Sequence, residues 1–392
     1  EINGKRDLFH GVALNTNLCY GNPEARRIIT DAIVRYAQDN PDVDIIHFWL
    51  ADGSNNQCEC PLCRDHRPAD LYVRMLNELD AKLAAAGLPT RIVFLIYVDL
   101  LWPPVEEKIE NPDRFILMFA PITRSYSRPF GQMADTLPTL PPYERNKLSF
   151  PRDPQLNLAF LRKWQEMFPG EGFDFDYHFM WDHFKDPGQC AIAQVLNEDV
   201  RRLRDLGLDG FISCQVQRVF FPTGLGMTVL AETLWDREKT FDAIADDYFR
   251  SAFGPNGAAA RRYCEAMSEL FDPPLLRGEL DEAAARSAPA KLARVEDAVA
   301  AVRPAIEEGV TVQNQCHAAS WGYLRLHTEF APLFAAALAA KYRGELEEAR
   351  KLAWRLFEWA RQNEPALQSV FDVFEFQVTI APLLGISHGD LT

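Results

Sequence analysis

The sequence predicts an α/β protein: a (β/α)8 TIM-barrel-like domain over residues 1–240, followed by an α-helical domain over residues 241–392. Three observations carry this. Apolar runs of strand length alternate with amphipathic stretches of helix length from His10 to Cys214, and such alternation builds a parallel sheet through right-handed crossovers. Several of these runs end in an acid or an aromatic residue, the chemistry found at the C-terminal rim of barrel enzymes. From Ala243 onward only helical periodicity remains, broken at Gly254-Pro255, Asp272-Pro273-Pro274, Gly309 and Gly344.

Taken in order, His10 to Leu14 has the composition of a short strand. Asn22-Pro23-Glu24 then opens a helix to about Asp39: Asn caps, Pro fits the first turn and Glu meets the positive end of the helix dipole. Ile45 to Leu50 is too short and too branched for a helix and reads as a strand buried on both faces. Ala69 to Ala86 is amphipathic, with Leu71, Met75, Leu79 and Leu83 on one stripe. Arg91 to Val98 and Phe115 to Ala120 are further buried strands. A Pro-rich segment, Pro129 to Pro154, has no periodicity, and loops of that length serve as lids or binding loops. Helices follow at Pro154 to Phe168 and Gln189 to Leu206, strands at Phe173 to Trp181 and Leu208 to Cys214. Six strands are thus legible, where a closed barrel has eight. Either strands go unread or the barrel opens upstream of Glu1. The second case leaves the first strand to pair with a homo-oligomer partner or a missing N-terminal domain.

Composition excludes some functions. Lys and Arg number 41 against 56 Asp and Glu, a formal charge of -15 with no basic block, so nucleic acid is not an expected partner. No apolar run reaches the roughly eighteen residues of a membrane span, so a membrane is not expected either. The first residue is Glu, which suggests a processed or trimmed piece and leaves the compartment open. There is no HExxH, no GxGxxG after a strand, no GxxxxGK[ST] and no GxSxG.

The densest chemistry lies just beyond the Ile45–Leu50 run, where Asp52-Gly53 is followed by Cys58, Cys60 and Cys63. Structural zinc takes four ligands, and Cys19, His66 and His47 are candidates for the fourth. Cys19 is favoured because it too follows a strand and would sit on the neighbouring loop. Disulfides to distant partners or free thiols are the alternative, and thiol redox chemistry is disfavoured by the acidic surroundings. Cys190, Cys214, Cys264 and Cys316 stand singly and read as small apolar packing residues.

Acids gather at strand ends: Asp52, Asp99, Asp174, Asp176, Asp182 and Glu232, among Trp49, Tyr97, Trp102, Tyr177, Trp181 and Trp235. Paired carboxylates among aromatic faces suit sugar chemistry, one acid protonating the leaving oxygen and another stabilising or attacking the anomeric centre. Each of these acids singly has an ordinary structural reading, since acidic proteins carry many carboxylates and Asp-Gly is a common turn. Asp174 and Asp176 are in phase on one strand, and the lumen is the expected side because burial against helices is costly.

The strings LCYGNPEARRII, FWLADG followed by CECPLC, FAPITRSYS and GFISCQVQRVFFPTGLGMTVLAETLWD resemble the bacterial domain-of-unknown-function family numbered 4838. That family is similar to the family-67 α-glucuronidases, whose barrel leads into a helical domain; the match is best at VLAETLWDREKTFDAIADDYFRSAFG. The resemblance implies a glycoside hydrolase-like protein with an acidic or complex carbohydrate as partner. It places the general acid at Asp52 and the second carboxylate at Asp176. The third acid of the α-glucuronidases falls where this chain has Thr123, which favours a non-catalytic carbohydrate-binding protein as the alternative. Arg124 is the expected partner of a sugar carboxylate or sulfate, and Tyr97, Tyr177 and Trp181, with Asp99 and Asp174, are expected to line the site.

Overall fold

A computed structural model describes residues 1–134 and 136–391. By internal contacts the chain divides into two compact units. One comprises Glu1–Ser125, Gln132–Asp176 and Arg202–Ile212, the other Tyr126–Gly131, Tyr177–Arg201 and Ser213–Thr392.

The first unit is built on a parallel sheet whose strands lie side by side in chain order: β1 (Ile45–Phe48), β2 (Arg91–Ile96), β3 (Phe115–Phe119), β4 (Gly172–Asp176) and β5 (Phe211–Ser213). Its helices are α1 (Pro23–Asp39), α2 (Pro68–Ala85) and α3 (Pro154–Met167). Each starts for a local reason. Asn22 accepts a hydrogen bond from the Glu24 amide ahead of α1, and Asp153 accepts from the amides of Gln155 and Leu156 ahead of α3, both followed by Pro in the first turn. At α2 the capping group is Asp70, described below.

The register sorts the side chains into two faces. His47 pairs with Val93, Val93 with Ile116, and Met118 with Phe173, so these residues share one side with Trp49, Leu95 and Phe175. Phe48, Phe94, Leu117, Phe119 and Asp174 lie on the other. This second side meets the helices: Phe48 packs edge-on to Tyr72 of α2 at 5.7 Å, and Phe94 lies 5.7 Å from Trp164 of α3 and 5.0 Å from Phe168.

The sheet is strongly curled. Three strand spacings separate β1 from β4, about 14 Å on a flat sheet, yet His47 and Phe173 stand 6.1 Å apart and Trp49 and Phe175 5.4 Å apart. The first face is therefore concave, and the architecture is a half-barrel of five parallel strands. The described residues do not form the eight strands of a closed barrel. One expected strand is absent: Phe9–Gly11 is a 3-10 turn and irregular chain follows it. Thr16 accepts a bond from the Phe9 amide at 2.8 Å and donates to Val12 O at 2.7 Å, so the segment closes on itself instead of joining the sheet. The expectation that β1 is buried on both faces also fails. β1 is an edge strand, and Ile45 and Trp49 on the concave side are 43% and 45% exposed.

The second unit is helical: most of α4 (Cys190–Arg202), then α5 (Leu225–Trp235), α6 (Phe241–Phe253), α7 (Gly257–Phe271), α8 (Pro273–Leu276), α9 (Glu282–Leu292), α10 (Val295–Gly309), α11 (Gln315–Tyr342), α12 (Leu346–Leu367) and α13 (Val373–Ile380). Small residues let these helices approach closely. Ala331, Ala335, Ala337 and Ala340 are buried along α11, and a Cβ on Gly309 would stand 2.3 Å from the ring of Trp321. Gly188 is equally tight, its place for a Cβ lying 2.0 Å from Cys264 O. Cys190 and Cys264 are buried as expected of apolar packing residues, but Cys316 is exposed near the start of α11.

Asp70 is the key polar group of the first unit's helix layer. It is fully buried, and its Oδ1 accepts from the amides of Val105 (2.9 Å), Glu106 (2.7 Å) and Glu107 (3.0 Å), while Oδ2 accepts from Arg67 N (3.2 Å). The carboxylate thus satisfies the start of α2 and a loop between β2 and β3 at once. Asp70→Ala leaves these amides without an acceptor and is expected to lower stability by about 3 kcal/mol. Urea unfolding monitored by tryptophan fluorescence checks this, the midpoint falling with an unchanged slope.

Candidate functional site

The segment from Leu50 to Arg67, after β1, has no helix or strand, so its backbone groups must find partners elsewhere. Side chains supply them. The Asn55 amide donates to both oxygens of Asp99, at 3.0 and 3.2 Å. Asn55 and Leu148 exchange two bonds, Asn55 Nδ2 to Leu148 O at 3.1 Å and Leu148 N to Asn55 Oδ1 at 2.8 Å. Asn146 treats Gln57 the same way, accepting from its amide at 2.7 Å and donating to its carbonyl at 2.9 Å. Asn55 and Asn146 both adopt positive φ, 54° and 57°, which Asn tolerates better than most residues.

Three thiols of this loop, Cys58, Cys60 and Cys63, and that of Cys19 ahead of α1 all lie within 4.8 Å of one another and form no disulfide. Cys19 is the fourth member; His66 is paired with Glu106 at 2.7 Å instead. The Cys19 sulfur is 3.4 Å from that of Cys60 and 3.6 Å from that of Cys63. A tetrahedral ion with metal–sulfur bonds of about 2.3 Å has sulfur–sulfur edges of about 3.8 Å, so the four sulfurs have the spacing to hold one metal ion. The Cys60-Pro-Leu-Cys63 turn is closed by Cys60 O, which accepts from the amides of Cys63 (2.9 Å) and Arg64 (3.0 Å). Gly21 donates its amide to the Cys63 sulfur at 3.3 Å, and no side chain fits there, since a Cβ would stand 2.1 Å from Leu62 O. Burial pushes the Cys19 thiol up to about 11, with its bond to Cys60 adding to this. At Cys60 burial works in the same direction, but hydrogen bonds from Cys19, Cys58 and the Leu62 amide outweigh it and bring the thiol down to about 7.

The expected sugar-site residues divide sharply. Asp52 is exposed, and Tyr97, half-buried, donates its hydroxyl to Asp52 Oδ1 at 3.1 Å. Trp49 stands on the same strand end with 45% of its surface open. Asp99 is buried and turned toward Asn55, so it braces the loop; burial lifts its carboxyl to about 6 despite the Asn55 bond. Val98, between Tyr97 and Asp99, has φ 43°, a strained value for a branched side chain.

Asp174 and Asp176 are 1% and 2% exposed. Asp174 is in register with Phe119, and Asp176 follows it in phase, so both lie opposite the concave face that carries Phe173 and Phe175. The lumen-facing expectation is corrected here: the aromatic positions Phe173 and Phe175 of β4 took the concave side and the alternation left the acids on the other. Arg124 is 4% exposed and donates Nε to Ser125 O at 3.2 Å. In the second unit Tyr177 and Trp181 stack, ring centroids 6.4 Å apart and planes at 14°. Asp182 is held by Arg277 at 2.7 Å and Lys185 at 3.5 Å; burial alone would raise its carboxyl, but Arg277 and then Lys185 bring it below the usual range. Trp102 is a core residue, its indole donating to Pro141 O at 2.8 Å.

Sequence reasoning missed Arg145, Asn146 and Asn55, the residues that brace the loop. The local signal was faint: Asn in Gly-Ser-Asn-Asn-Gln and before Lys147, a residue type suited to positive φ.

These features define a parallel β/α half-barrel protein whose strand-end rim is bordered by a cysteine-clasped loop. The chain matches the family model described as "Domain of unknown function (DUF4838)" over residues 2–265, and it belongs to that family. No curated protein and no solved structure matches it.

The raised Asp99 carboxyl has a definite consequence for stability. Its ordinary value is 3.8 and its folded value about 6, so the folded state holds this proton more tightly. Its contribution is present below pH 4 and is lost as pH rises through about 6, a fall of no more than about 3 kcal/mol. Asp99→Asn is expected to remove that fall, which unfolding midpoints measured from pH 4 to 7 for the two proteins will show.

Proposed function

We propose that this protein is a glycoside hydrolase-like enzyme acting on an acidic or complex carbohydrate, with Asp52 as the general acid. The observation that supports this most is the Asp52–Tyr97 pair, an accessible carboxylate oriented by a phenol at a barrel strand end beside the open ring of Trp49. A sugar ring stacks on an exposed aromatic face, and a carboxylate at its edge reaches the glycosidic oxygen. Asp176 is the second carboxylate of this reading, and Tyr97 and Trp49 line its sugar site.

A second reading, a non-catalytic carbohydrate-binding protein, is favoured by a specific observation. Asp174 and Asp176 are buried on the side of β4 away from the concave face, and Thr123 donates its hydroxyl to Pro151 O at 3.0 Å where an acid is expected. Screening the purified protein against uronic-acid-bearing glycans separates the two. Hydrolysis requires released sugar, and Asp52→Asn should then lower turnover by at least about a thousandfold while leaving glycan affinity within a few-fold. Binding without release in the wild type, unchanged by Asp52→Asn, would move the protein to the binding class.

The metal of the four-cysteine centre is read as structural zinc. Four sulfurs fill a tetrahedral shell and leave no open position, so the ion's role is to close the loop and not to activate water. Protein purified without chelator should carry about one zinc per chain by mass spectrometry, and Cys60→Ser should lose it and melt earlier. A metal-free wild type of unchanged stability would refute zinc.

A further inference from the structure

The Pro-rich stretch before α3 resembled a lid in sequence, yet part of it has a different task. Arg145 donates Nη1 to Cys58 O at 3.0 Å and Nη2 to Cys63 O at 2.8 Å, and Nη2 also to His66 O. Two of these three carbonyls belong to residues of the thiol cluster. Next to it, Asn146 Nδ2 reaches Glu59 Oε1 at 2.7 Å as well as Gln57 O at 2.9 Å, so it holds the residues on either side of Cys58. Leu148 completes the strap through its exchange with Asn55.

The electrostatics point the same way. Arg145 forms no ion pair among the described residues; its two terminal nitrogens are spent on backbone carbonyls and its Nε is buried without a partner, while Glu59 and Asp99 feel its charge from beyond contact distance. Its charge therefore has no carboxylate at contact distance to neutralise it. A divalent ion on four thiolates carries excess negative charge, and a guanidinium fixed on the ligands' own carbonyls opposes it while holding the ligand backbone still. Partners of this kind orient metal ligands and tune affinity.

We propose that Arg145, with Asn146, is the outer shell of the thiolate-held metal, so that metal binding and closure of the strap 145–148 onto the cysteine loop are one event. This rests on the metal reading above and goes beyond it by assigning Arg145 as a positioning residue that no ligand pattern reveals. The metal ties down the side chains of the loop and Arg145 ties down its carbonyls, and neither arrangement is complete without the other.

The test uses the full chain and zinc itself. Competition against a chromophoric chelator should show Arg145→Gln binding zinc about 10–100-fold more weakly than wild type. Arg145→Lys keeps the charge but loses the fork and should fall between them. Circular dichroism identifies any variant that does not fold, and hydrogen exchange on the wild type keeps the proposal falsifiable in that case. The amides of Gln57 and Leu148, whose acceptors are Asn146 and Asn55, should lose protection when zinc is chelated and regain it on zinc addition. Equal zinc affinity in a folded Arg145→Gln, or protection at Gln57 and Leu148 indifferent to zinc, overturns the proposal. A wild type that binds no zinc overturns the metal reading itself, which separates the two failures.

Discussion

The first unit depends on satisfying the backbone of a long loop that has no ladder of its own. Residues 50–67 follow the first strand without helix or strand, and unpaired amides and carbonyls beneath neighbouring chain would be costly. Asp99, Asn55, Asn146 and Arg145 meet that demand from three separate parts of the sequence. Four thiols meeting within 4.8 Å are a result of this bracing as much as its cause. The loop's backbone is held by these side chains, and its sulfurs lie within reach of a single ion.

The curl of the sheet decides what the rim offers. Contact between the rings of β1 and β4 across the concave face brings Trp49 and Phe175 together, although two strands lie between them in the hydrogen-bonded order. The same curl leaves Ile45 and Trp49 open on an edge strand. Alternation along β4 then makes a choice between two pairs of residues. Phe173 and Phe175 occupy the concave side and Asp174 and Asp176 the buried one, so the carboxylates that look most like a catalytic pair in sequence are separated by a strand's thickness from the aromatics. Asp52, on the loop, escapes this parity.

The second unit shows how helical packing uses small residues. The alanines of α11 and the glycines opposite Trp321 and Cys264 permit contacts that a single added methyl group would block. Its buried polar groups are mostly paired: Asp186 accepts from Ser268 at 2.6 Å and from the Ile192 amide at 2.9 Å, fixing the start of α4. Burial raises its carboxyl above the ordinary value even so.

The sequence by itself determined the elements that rest on local chemistry. The cap at Asn22, apolar runs at Arg91–Ile96 and Phe115–Phe119, and the change to helical periodicity near Ala243 were legible because each depends on residues a few positions apart. The cysteine cluster was legible too, since thiols gathered in one loop need a ligand set; Cys19 joins it as expected, although the strand expected before it is irregular chain. Tertiary structure alone decided the rest. Whether His10–Leu14 forms a strand turned on a neighbour it does not have, and whether Asp99 faces a ligand or a loop amide turned on the Asn55 amide, forty-four residues away. The face taken by Asp174 and Asp176 turned on the register of β4 with the neighbouring β3, and the role of Arg145 on a contact across more than eighty residues. Such choices are fixed by burial and by distant hydrogen-bond partners, and no local pattern in the chain encodes them.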